Sequence, residues 1–179
     1  MKKQYFVRFS LIAFAAMLMV ACGPSREERI AQIEDFEDSI SEMPLSVDTN
    51  TANELTDLYV TFADKYETDS LAPIYLLKAG EVQANIPHTE RAVAIFDRVI
   101  SNYPDFEELP ICYFLKGYAL EFNEQFDEAK AAYQEFVDKY PNHYLAEGTR
   151  VMIPRIGMSP EEMLESVLAE ANDTIIAQE

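Results

Sequence analysis

Apolar residues in this chain recur mainly at helical spacing. The clearest segment, residues 90–103, places apolar side chains three or four residues apart, at Ala92, Val93, Phe96, Val99 and Ile100. This spacing is typical of one buried face of an α-helix. Similar segments, divided by Gly, Pro and polar residues, predict helices over 26–42, 52–66, 71–86, 90–103, 107–123, 127–140, 144–150 and 160–177. The chain is therefore predicted to be all-α.

Polar residues ahead of these segments predict where helices begin. Thr89 and Asp127 stand where N-caps are expected, each followed by a glutamate in the first turn. Thr51 with Glu54 has the spacing of a capping box. Ser159-Pro160 combines an N-cap residue with a proline at the first helical position, which predicts the start of the last helix.

The predicted helices belong to an internal repeat. The segment "PIYLLKAGEVQANIPHTERAVAIFDRVISNYP" (73–104) aligns with "PICYFLKGYALEFNEQFDEAKAAYQEFVDKYP" (110–141) at an offset of 37 residues. Two further stretches, "YVTFADKYETDSLA" (59–72) and "YQEFVDKYPNHYLA" (133–146), match at twice that offset. Tyr66, Tyr103 and Tyr140 are thus one position seen three times. Three copies in constant register indicate an architecture of stacked units.

Two glycines recur inside apolar helical segments, at Gly80 and Gly117. Glycine is a poor helix former, so we expect a partner helix to approach closely at both positions. A proline follows each repeated tyrosine in the second and third copies and ends the second helix of its pair. Tyr103 and Tyr140 are therefore predicted to pack across the end of their hairpins.

The repeat pattern resembles the tetratricopeptide repeat family. Glycine at position 8, alanine at 20, an aromatic residue at 24 and proline at 32 characterise that family, and the matching residues are Gly80/Gly117, Ala92/Ala129, Phe96/Tyr133 and Pro104/Pro141. The resemblance implies an α-α superhelix of about three helical hairpins within residues 30–146. The repeats would cover about 36–72, 73–109 and 110–146.

The last predicted helix carries one apolar stripe, formed by Met163, Leu164, Val167, Leu168, Ala171 and Ile175. Terminal elements of a helical solenoid must cover its apolar end. We therefore expect residues 147–179 to form a C-terminal capping helix region.

In this family the first helix of each hairpin lines a concave groove that binds partner segments. The resemblance places seven groove residues on two helices: Leu77, Glu81, Asn85, Phe114, Tyr118, Glu121 and Phe122. Such an aromatic and acidic groove would suit protein or peptide segments with apolar and basic residues. The alternative is that the last helix fills the groove, so that its aromatic residues belong to the core.

The amino terminus has the organisation of a secretion signal. A basic head in residues 1–8 precedes an apolar run in 9–21, which is shorter than the about 20 residues of a membrane span. The ending "MVAC" (19–22) resembles a bacterial lipobox. This implies a signal peptide over 1–21, acylation of Cys22 and a lipidated tether over 22–29. The alternatives are an ordinary cleaved signal or an uncleaved anchor that happens to end in cysteine.

Charge and cysteine content narrow the possible partners. The chain has a net charge of −18, and all 32 acidic residues but only 11 of the 14 basic residues follow Cys22. Cleavage would therefore leave a net charge of −21, which excludes electrostatic binding to nucleic acid or to anionic lipid surfaces. After acylation of Cys22, Cys112 would be the remaining cysteine, so no internal disulfide is expected. Its apolar surroundings predict a small buried hydrophobic residue.

Candidate chemistry is sparse. His88 and His143 lie in predicted loops without a cysteine or histidine cluster at metal-ligand spacing, so we interpret both as loop residues and expect no metal or cofactor. Paired carboxylates such as Glu107/Glu108 are expected on the solvated faces of so acidic a chain. The sequence thus predicts a protein that is not an enzyme.

The lipobox and the segment "FDEAKAAYQEFVDKYP" together resemble outer-membrane assembly lipoproteins of the BamD type. The resemblance implies a membrane-anchored scaffold in the bacterial cell envelope, at the outer membrane and facing the periplasm. One alternative is a periplasmic chaperone-like holder of unfolded or basic clients. Another is an enzyme that uses surface carboxylates. Partner identity and oligomeric state do not follow from the sequence.

Overall fold

The fold was analysed in a computed structural model, which describes residues 23–41, 48–87 and 89–176. Regular structure within these ranges is helical throughout. The predicted signal peptide, Cys22 and His88 lie outside the described residues. The helices are α1 (Arg26–Ser41), α2 (Thr49–Lys65), α3 (Leu71–Ala84), α4 (Glu90–Asn102), α5 (Leu109–Phe122), α6 (Phe126–Lys139), α7 (Ala146–Met152) and α8 (Pro160–Ile176). The all-α prediction is confirmed, with most helix ends within two residues of those predicted.

The chain divides into two compact units, residues 1–46 and 47–179. Helix α1 belongs to the first unit. It begins with a reciprocal capping box, in which the Ser25 N–H donates to the Glu28 carboxylate (2.7 Å) and the Glu28 N–H donates to Ser25 Oγ (3.2 Å). These bonds satisfy two backbone donors at the helix start.

The second unit is a stack of helices in which neighbours along the chain pack together. Helix α2 packs on α3, α3 on α4, α4 on α5, and α5 on α6, and the first helices of the two hairpins, α3 and α5, also touch. This order is that of an α-α superhelix built from the hairpins α3/α4 and α5/α6. The solenoid architecture expected from the repeat pattern is therefore present in these two hairpins. The first of the three expected hairpins is not confirmed, because α1 and α2 belong to different compact units.

The repeated tyrosines end their helices with the same geometry. Tyr66, Tyr103 and Tyr140 have φ values of −128°, −129° and −128°. Each N–H donates to the carbonyl four residues earlier, and each carbonyl accepts from the N–H three residues later. The three turns thus have one hydrogen-bond pattern. The third of them leads into α7, which begins at Ala146, one period after α5 begins at Leu109.

The two helical glycines allow the hairpins to close. A Cβ on Gly80 would lie 2.7 Å from Cζ of Phe96, and a Cβ on Gly117 would lie 2.7 Å from Cδ1 of Tyr133. Both rings are fully or almost fully buried. The expected close approach is confirmed, and its partner in each hairpin is the repeated aromatic residue of the second helix.

Tyrosine packing at the hairpin end is confirmed for Tyr140. Its ring centroid lies 5.5 Å from that of Tyr113 on α5 and 6.2 Å from that of Phe136 on its own helix. Such aromatic pairs stabilise the fold beyond the apolar area that they bury. Tyr103 at the equivalent position is half-buried.

Ion pairs join the outer helices of the stack. Arg91 on α4 pairs with Asp57 on α2, and Arg98 Nη1 lies 2.5 Å from Asp64 Oδ1 on the same two helices. Because these pairs are partly exposed, each is expected to stabilise the fold by less than about 1 kcal/mol. These pairs therefore contribute more to the register of α4 on α2 than to the stability of the fold.

Two of the predicted N-caps are corrected by the structure. Helix α2 begins at Thr49, three residues before the predicted start, and Asp48 is its cap, accepting from the N–H groups of Asn50 (2.8 Å) and Thr51 (3.2 Å). The predicted capping box of Thr51 and Glu54 is therefore wrong. Helix α6 begins at Phe126, so that Asp127 lies in the first turn.

Thr89 precedes α4 as predicted but makes no side-chain cap bond. Its buried hydroxyl instead donates to the carbonyl of Ala119 on α5, at 2.7 Å. This bond joins the start of one hairpin's second helix to the end of the next hairpin's first helix. The polar pattern that resembled a local cap is therefore a contact between repeats.

The carboxyl-terminal part of the stack differs from the prediction. Helix α8 begins as expected, since the Ser159 N–H donates to Glu162 (2.8 Å) and the Glu162 N–H donates to Ser159 Oγ (3.2 Å). The expected capping of the stack by its stripe is not seen, because the side chains of Met163, Leu164, Val167 and Leu168 are 43–60% exposed. Ala171 and Ile175 lie beyond the described side chains.

The end of α6 is covered instead by α7 and the 3₁₀ turn Ile153–Arg155. Ile156, which follows this turn, is buried against Leu120 and Tyr133.

Candidate functional site

The seven predicted groove residues lie on the first helices of the two hairpins, α3 and α5. On α3, Leu77 is half-buried, whereas Glu81 and Asn85 are exposed. Gly80 on the same helix faces Phe96 on the closed side of the hairpin. Glu81 and Asn85 therefore lie outside that closed side, whereas Leu77, three residues before Gly80, lies at its edge.

On α5, the four predicted residues do not share one environment. Phe122 is 51% exposed, whereas Phe114, Tyr118 and Glu121 are half-buried. The Tyr118 and Phe122 ring centroids lie 6.3 Å apart with the planes tilted by 34°. These two residues form an aromatic pair whose outer member is open to solvent.

Phe114 belongs to the hairpin packing as well as to the predicted groove. Its ring centroid lies 5.4 Å from that of Tyr133 and 5.7 Å from that of Phe136, both on α6. Tyr118 also packs against the buried cluster around Tyr133. The alternative that the last helix buries these residues is not supported, because the exposed stripe of α8 covers none of the described groove residues. Their partial burial comes from α6.

A carboxylate is held beside the aromatic pair. The Tyr133 hydroxyl donates to Glu121 Oε2 at 2.9 Å. Burial raises the pKa of Tyr133 well above its usual value, and the charge of Glu121 raises it further. Tyr133 therefore stays protonated and remains a donor, which fixes the orientation of Glu121.

A second carboxylate lies on α3. Although Glu81 is exposed as a residue, partial burial of its carboxylate raises its pKa, the charge of Lys78 lowers it, and the charge of Glu108 raises it. Glu108 lies at the start of α5, so acidic groups from two successive hairpins influence each other. A cation placed between them would relieve this repulsion.

Asn85 ends the exposed row on α3. Its Nδ2 donates to the carbonyl of Glu81 at 2.8 Å, which satisfies one of the unpaired carbonyls at the helix end. The equivalent residue on α5, one period later, is Phe122. The two hairpins thus place an amide and an aromatic ring at the same position.

Cys112 lies behind these residues on the buried side of α5. Its side chain is fully buried, and burial raises its pKa to about 12, with smaller contributions from the charges of Glu81 and Glu108. A thiol in this state is unreactive near neutral pH. The prediction of a small buried hydrophobic residue is confirmed.

His143 lies in a loop, as predicted, but it is packed there. Its ring contacts those of Phe136 and Tyr144, with centroids at 5.4 and 4.4 Å, and its Nδ1 accepts from the N–H of Leu145 at 3.3 Å. No group of three or more His, Cys, Asp or Glu side chains in the described part of the chain is arranged to hold a metal ion.

Two buried polar contacts between helices escaped the sequence analysis. One is the bond of Thr89 described above. The other joins α3 to α2, where Gln83 Nε2 donates to Asn53 Oδ1 and to Thr56 Oγ1, both at 2.9 Å. Gln83 interrupts an apolar segment, which was the available signal. Its partners lie 27 and 30 residues earlier, beyond the reach of local patterns.

Among the helices of the described residues, none is both long enough and apolar enough to cross a bilayer.

Comparison with known proteins supports the repeat assignment. Residues 75–105 and 112–143 match the family model of the tetratricopeptide repeat. The two matched segments correspond to the hairpins α3/α4 and α5/α6. No curated protein sequence matches the chain significantly.

Proposed function

We propose that this protein, whose chain carries two tetratricopeptide repeats, is a membrane-anchored scaffold of the bacterial cell envelope. Repeats of this family generally mediate protein–protein interaction and are typically not enzymes. Beyond this general role, we assign the chain a binding surface, a membrane anchor and a cellular location. We define the groove as the exposed and half-buried residues of α3 and α5 named above: Leu77, Glu81, Asn85, Phe114, Tyr118, Glu121 and Phe122.

One observation carries the binding part of the proposal. Phe122 is 51% exposed beside the half-buried Tyr118, and Glu121, which precedes Phe122 in the sequence, has its carboxylate fixed by the Tyr133 hydroxyl. An apolar ring needs a partner to leave water, and a carboxylate held in place favours a cation without a large ordering cost. The groove therefore suits a protein segment that presents an apolar side chain next to lysine or arginine.

The structure identifies which substitution tests this. Phe122→Ala removes an exposed ring and should leave the fold intact, whereas Tyr118→Ala also removes packing against the buried cluster. We expect Phe122→Ala to abolish capture of a partner from detergent-solubilised envelopes while the helical circular dichroism is unchanged. Gln134→Ala, exposed on the second helix of the same hairpin, is the control and should capture normally.

The captured proteins distinguish the candidate functions. One stoichiometric partner, such as a component of outer-membrane protein assembly, would support the scaffold. Many unfolded or basic clients would support the chaperone-like holder instead. Capture that is equal for wild type and Phe122→Ala would contradict binding in the groove.

The anchor is proposed from the amino-terminal sequence. Acylation of Cys22 would attach more than one chain, which is enough for stable membrane binding. Residues 23–25, Gly-Pro-Ser, precede α1 and would connect the membrane to the folded part. We expect Cys22→Ala to move the protein from the membrane to the soluble fraction of the envelope. Unchanged membrane attachment would contradict lipidation at this residue.

The proposed location is the outer membrane, facing the periplasm. The resemblance of the lipobox and of residues 126–141 to outer-membrane assembly lipoproteins of the BamD type supports it. Separation of the two membranes by density, followed by detection of the protein and by protease treatment of intact cells, would test this assignment. Recovery of the protein with the inner membrane would contradict it.

A further inference from the structure

Large exposed apolar side chains are concentrated near the carboxyl end of the described chain. Two lie on or just before α7 and four lie on α8: Tyr144, Val151, Met163, Leu164, Val167 and Leu168. We call the four residues of α8 the α8 stripe. Two separate apolar surfaces in one small region suggest that each is one half of a contact.

Helix α7 occupies the place of the first helix of a further hairpin after α5/α6. The turn before it repeats the hydrogen bonds of the two earlier turns, and α7 begins one period after α5. On α5, Tyr113 and Phe114 pack on the rings of Tyr140 and Tyr133 of the second helix. One period later these two positions are Arg150 and Val151.

Val151 is 53% exposed. Helix α7 therefore presents, without a second helix on it, the face that α6 covers in the preceding hairpin. We call this surface the α7 face, formed by Arg150, Val151 and the adjoining Arg155.

Helix α8 follows α7 in sequence but cannot close this hairpin in the way that α6 does. The buried positions of α6 are Ala129, Ala132, Tyr133, Phe136 and Val137. One period later the chain has Ser166, Ala169, Glu170, Asp173 and Thr174. The aromatic residue that meets the helical glycine is replaced by glutamate, and the glycine itself by Pro154. The α8 stripe lies instead at positions that face outward in α6.

The link to α8 also limits how that helix can turn. Ile156 is buried, and Gly157 has φ +77° with a Cβ at that position 2.8 Å from Cγ of Phe126. Helix α8 begins at Pro160, only three residues later. Because the link is short and anchored, α8 has little freedom to rotate its stripe onto α7 of the same chain.

Charge indicates which partner fits. Residues 160–176 contain five acidic residues and no lysine or arginine, and Glu161, Glu162 and Glu165 are exposed. Residues 140–159, which include the α7 face, contain two arginines and one glutamate, a net charge of +1, and Arg150 pairs with that glutamate, Glu147, at 2.9 Å. Two α8 helices would repel each other, whereas an α8 helix and an α7 face attract.

We propose that the α8 stripe of one copy of this chain packs on the α7 face of a second copy, and reciprocally. A two-fold exchange makes both contacts at once and closes on itself, as in most homodimers. Helix α8 has 17 residues and thus a length of about 25 Å, which is long enough to span the short α7. Each copy supplies the second helix that the other copy's further hairpin lacks.

Cysteine cross-linking in cells tests the contact with the full-length chain. Val151→Cys is expressed in a copy with a long tag and Leu168→Cys in a copy with a short tag, and mild oxidation is applied. We expect a disulfide-linked species of mixed size. Ala94→Cys, exposed on α4, replaces Val151→Cys in the control and should give none. The native Cys112 is buried and does not compete.

Three results of the oxidation experiment would overturn the proposal. The absence of a mixed-size species while a Val151→Cys/Leu168→Cys double variant forms an internal disulfide would place α8 on its own chain. An adduct with a different protein at position 168 would assign the stripe to another partner. Equal cross-linking from position 94 would show that the contact is not specific.

Native mass spectrometry of the detergent-purified full-length protein provides the second measurement. We expect a dimer for wild type and a monomer for Leu164→Glu/Leu168→Glu, whose substituted residues are exposed and so leave the fold intact. A wild-type monomer, or a dimer unaffected by the α8 substitutions, would overturn the proposal.

Discussion

The hairpins α3/α4 and α5/α6 have the same interior but different outer surfaces. In both, a helical glycine meets a buried ring, Phe96 in the first and Tyr133 in the second. At matching outward positions the first hairpin has Leu77, Glu81 and Asn85, whereas the second has Phe114, Tyr118 and Phe122. The comparison teaches that the two repeats share their closure, while the outward surface, where we propose that a partner binds, differs between them.

The largest expected effect comes from disrupting the contact between a glycine and an aromatic ring that both hairpins share. Gly80→Ala and Gly117→Ala should each lower the free energy of unfolding by about 1–3 kcal/mol, because a Cβ overlaps the ring of Phe96 or Tyr133. Gly148→Ala is the control. This glycine lies in α7 with no atom within 4 Å of a built Cβ, so the substitution should stabilise by up to about 1 kcal/mol. Urea unfolding of the three variants measures this, and equal effects at all three positions would refute the close-approach account.

The second effect concerns the junction between the hairpins. Thr89→Val removes the buried hydroxyl that donates to Ala119 and should destabilise by about 1 kcal/mol, since the carbonyl still accepts from the Asn123 N–H. Thr89→Ser keeps the donor and should lose less in the same thermal unfolding measurement. One period later, the position equivalent to Thr89 is Phe126, whose ring lies against Gly157. The junction between repeats is therefore polar at position 89 and aromatic at position 126. Equal losses for valine and serine would assign the effect to packing rather than to the hydrogen bond.

The ion pairs between α2 and α4 also differ between repeats, and their expected effect on stability is smaller. Arg98 on α4 pairs with Asp64 on α2, but one period later the arginine positions 91 and 98 become Glu128 and Glu135. A double-mutant cycle of Arg98→Ala and Asp64→Ala should give a coupling energy below about 1 kcal/mol, because the pair is partly exposed. The coupling should decrease further in 1 M salt. A coupling that is large and independent of salt would contradict this assignment.

The smallest effect belongs to the groove carboxylate of Glu81. Its pKa in the folded state is raised, mainly by burial, so its ionised form is disfavoured by folding. The resulting penalty is present above the raised pKa and disappears as the pH falls below the ordinary value of 4.5. Glu81→Gln should therefore be slightly more stable than wild type at pH 7 and equal to it near pH 3. Lower stability of the variant at pH 7 would reverse the sign and contradict the prediction.

Much of the fold was predictable because its signals are local or strictly periodic. Helix positions follow from apolar spacing, and the 37-residue offset gave the register that makes Gly80 and Gly117 close-approach sites. The N-caps were less predictable, because a threonine such as Thr89 bonds either its own helix or a neighbouring one. The partners of Gln83 and Thr89 depend on packing between hairpins, which single-sequence patterns do not report.

The residues of the proposed groove were predictable in register but not in exposure. Register placed Phe114, Tyr118 and Phe122 on one face, yet only Phe122 is mainly open to solvent, because α6 covers the other two in part. The position of the α8 stripe had a clear signal in the local apolar spacing. Its lack of contact with the stack had no local signal, and is explained only when positions 154, 166 and 170 are compared with the preceding repeat.

The proposed binding of a protein segment in the groove is tested most directly by photo-cross-linking from matched positions. A photoreactive residue is placed in the full-length chain at position 122, at the equivalent position 85, or at position 94 on the outer side of α4, and the envelopes are irradiated. The account predicts an adduct with one defined protein from position 122, a weaker adduct with the same protein from position 85, and none from position 94. No protein adduct from position 122, or equal adducts from positions 122 and 94, would contradict it.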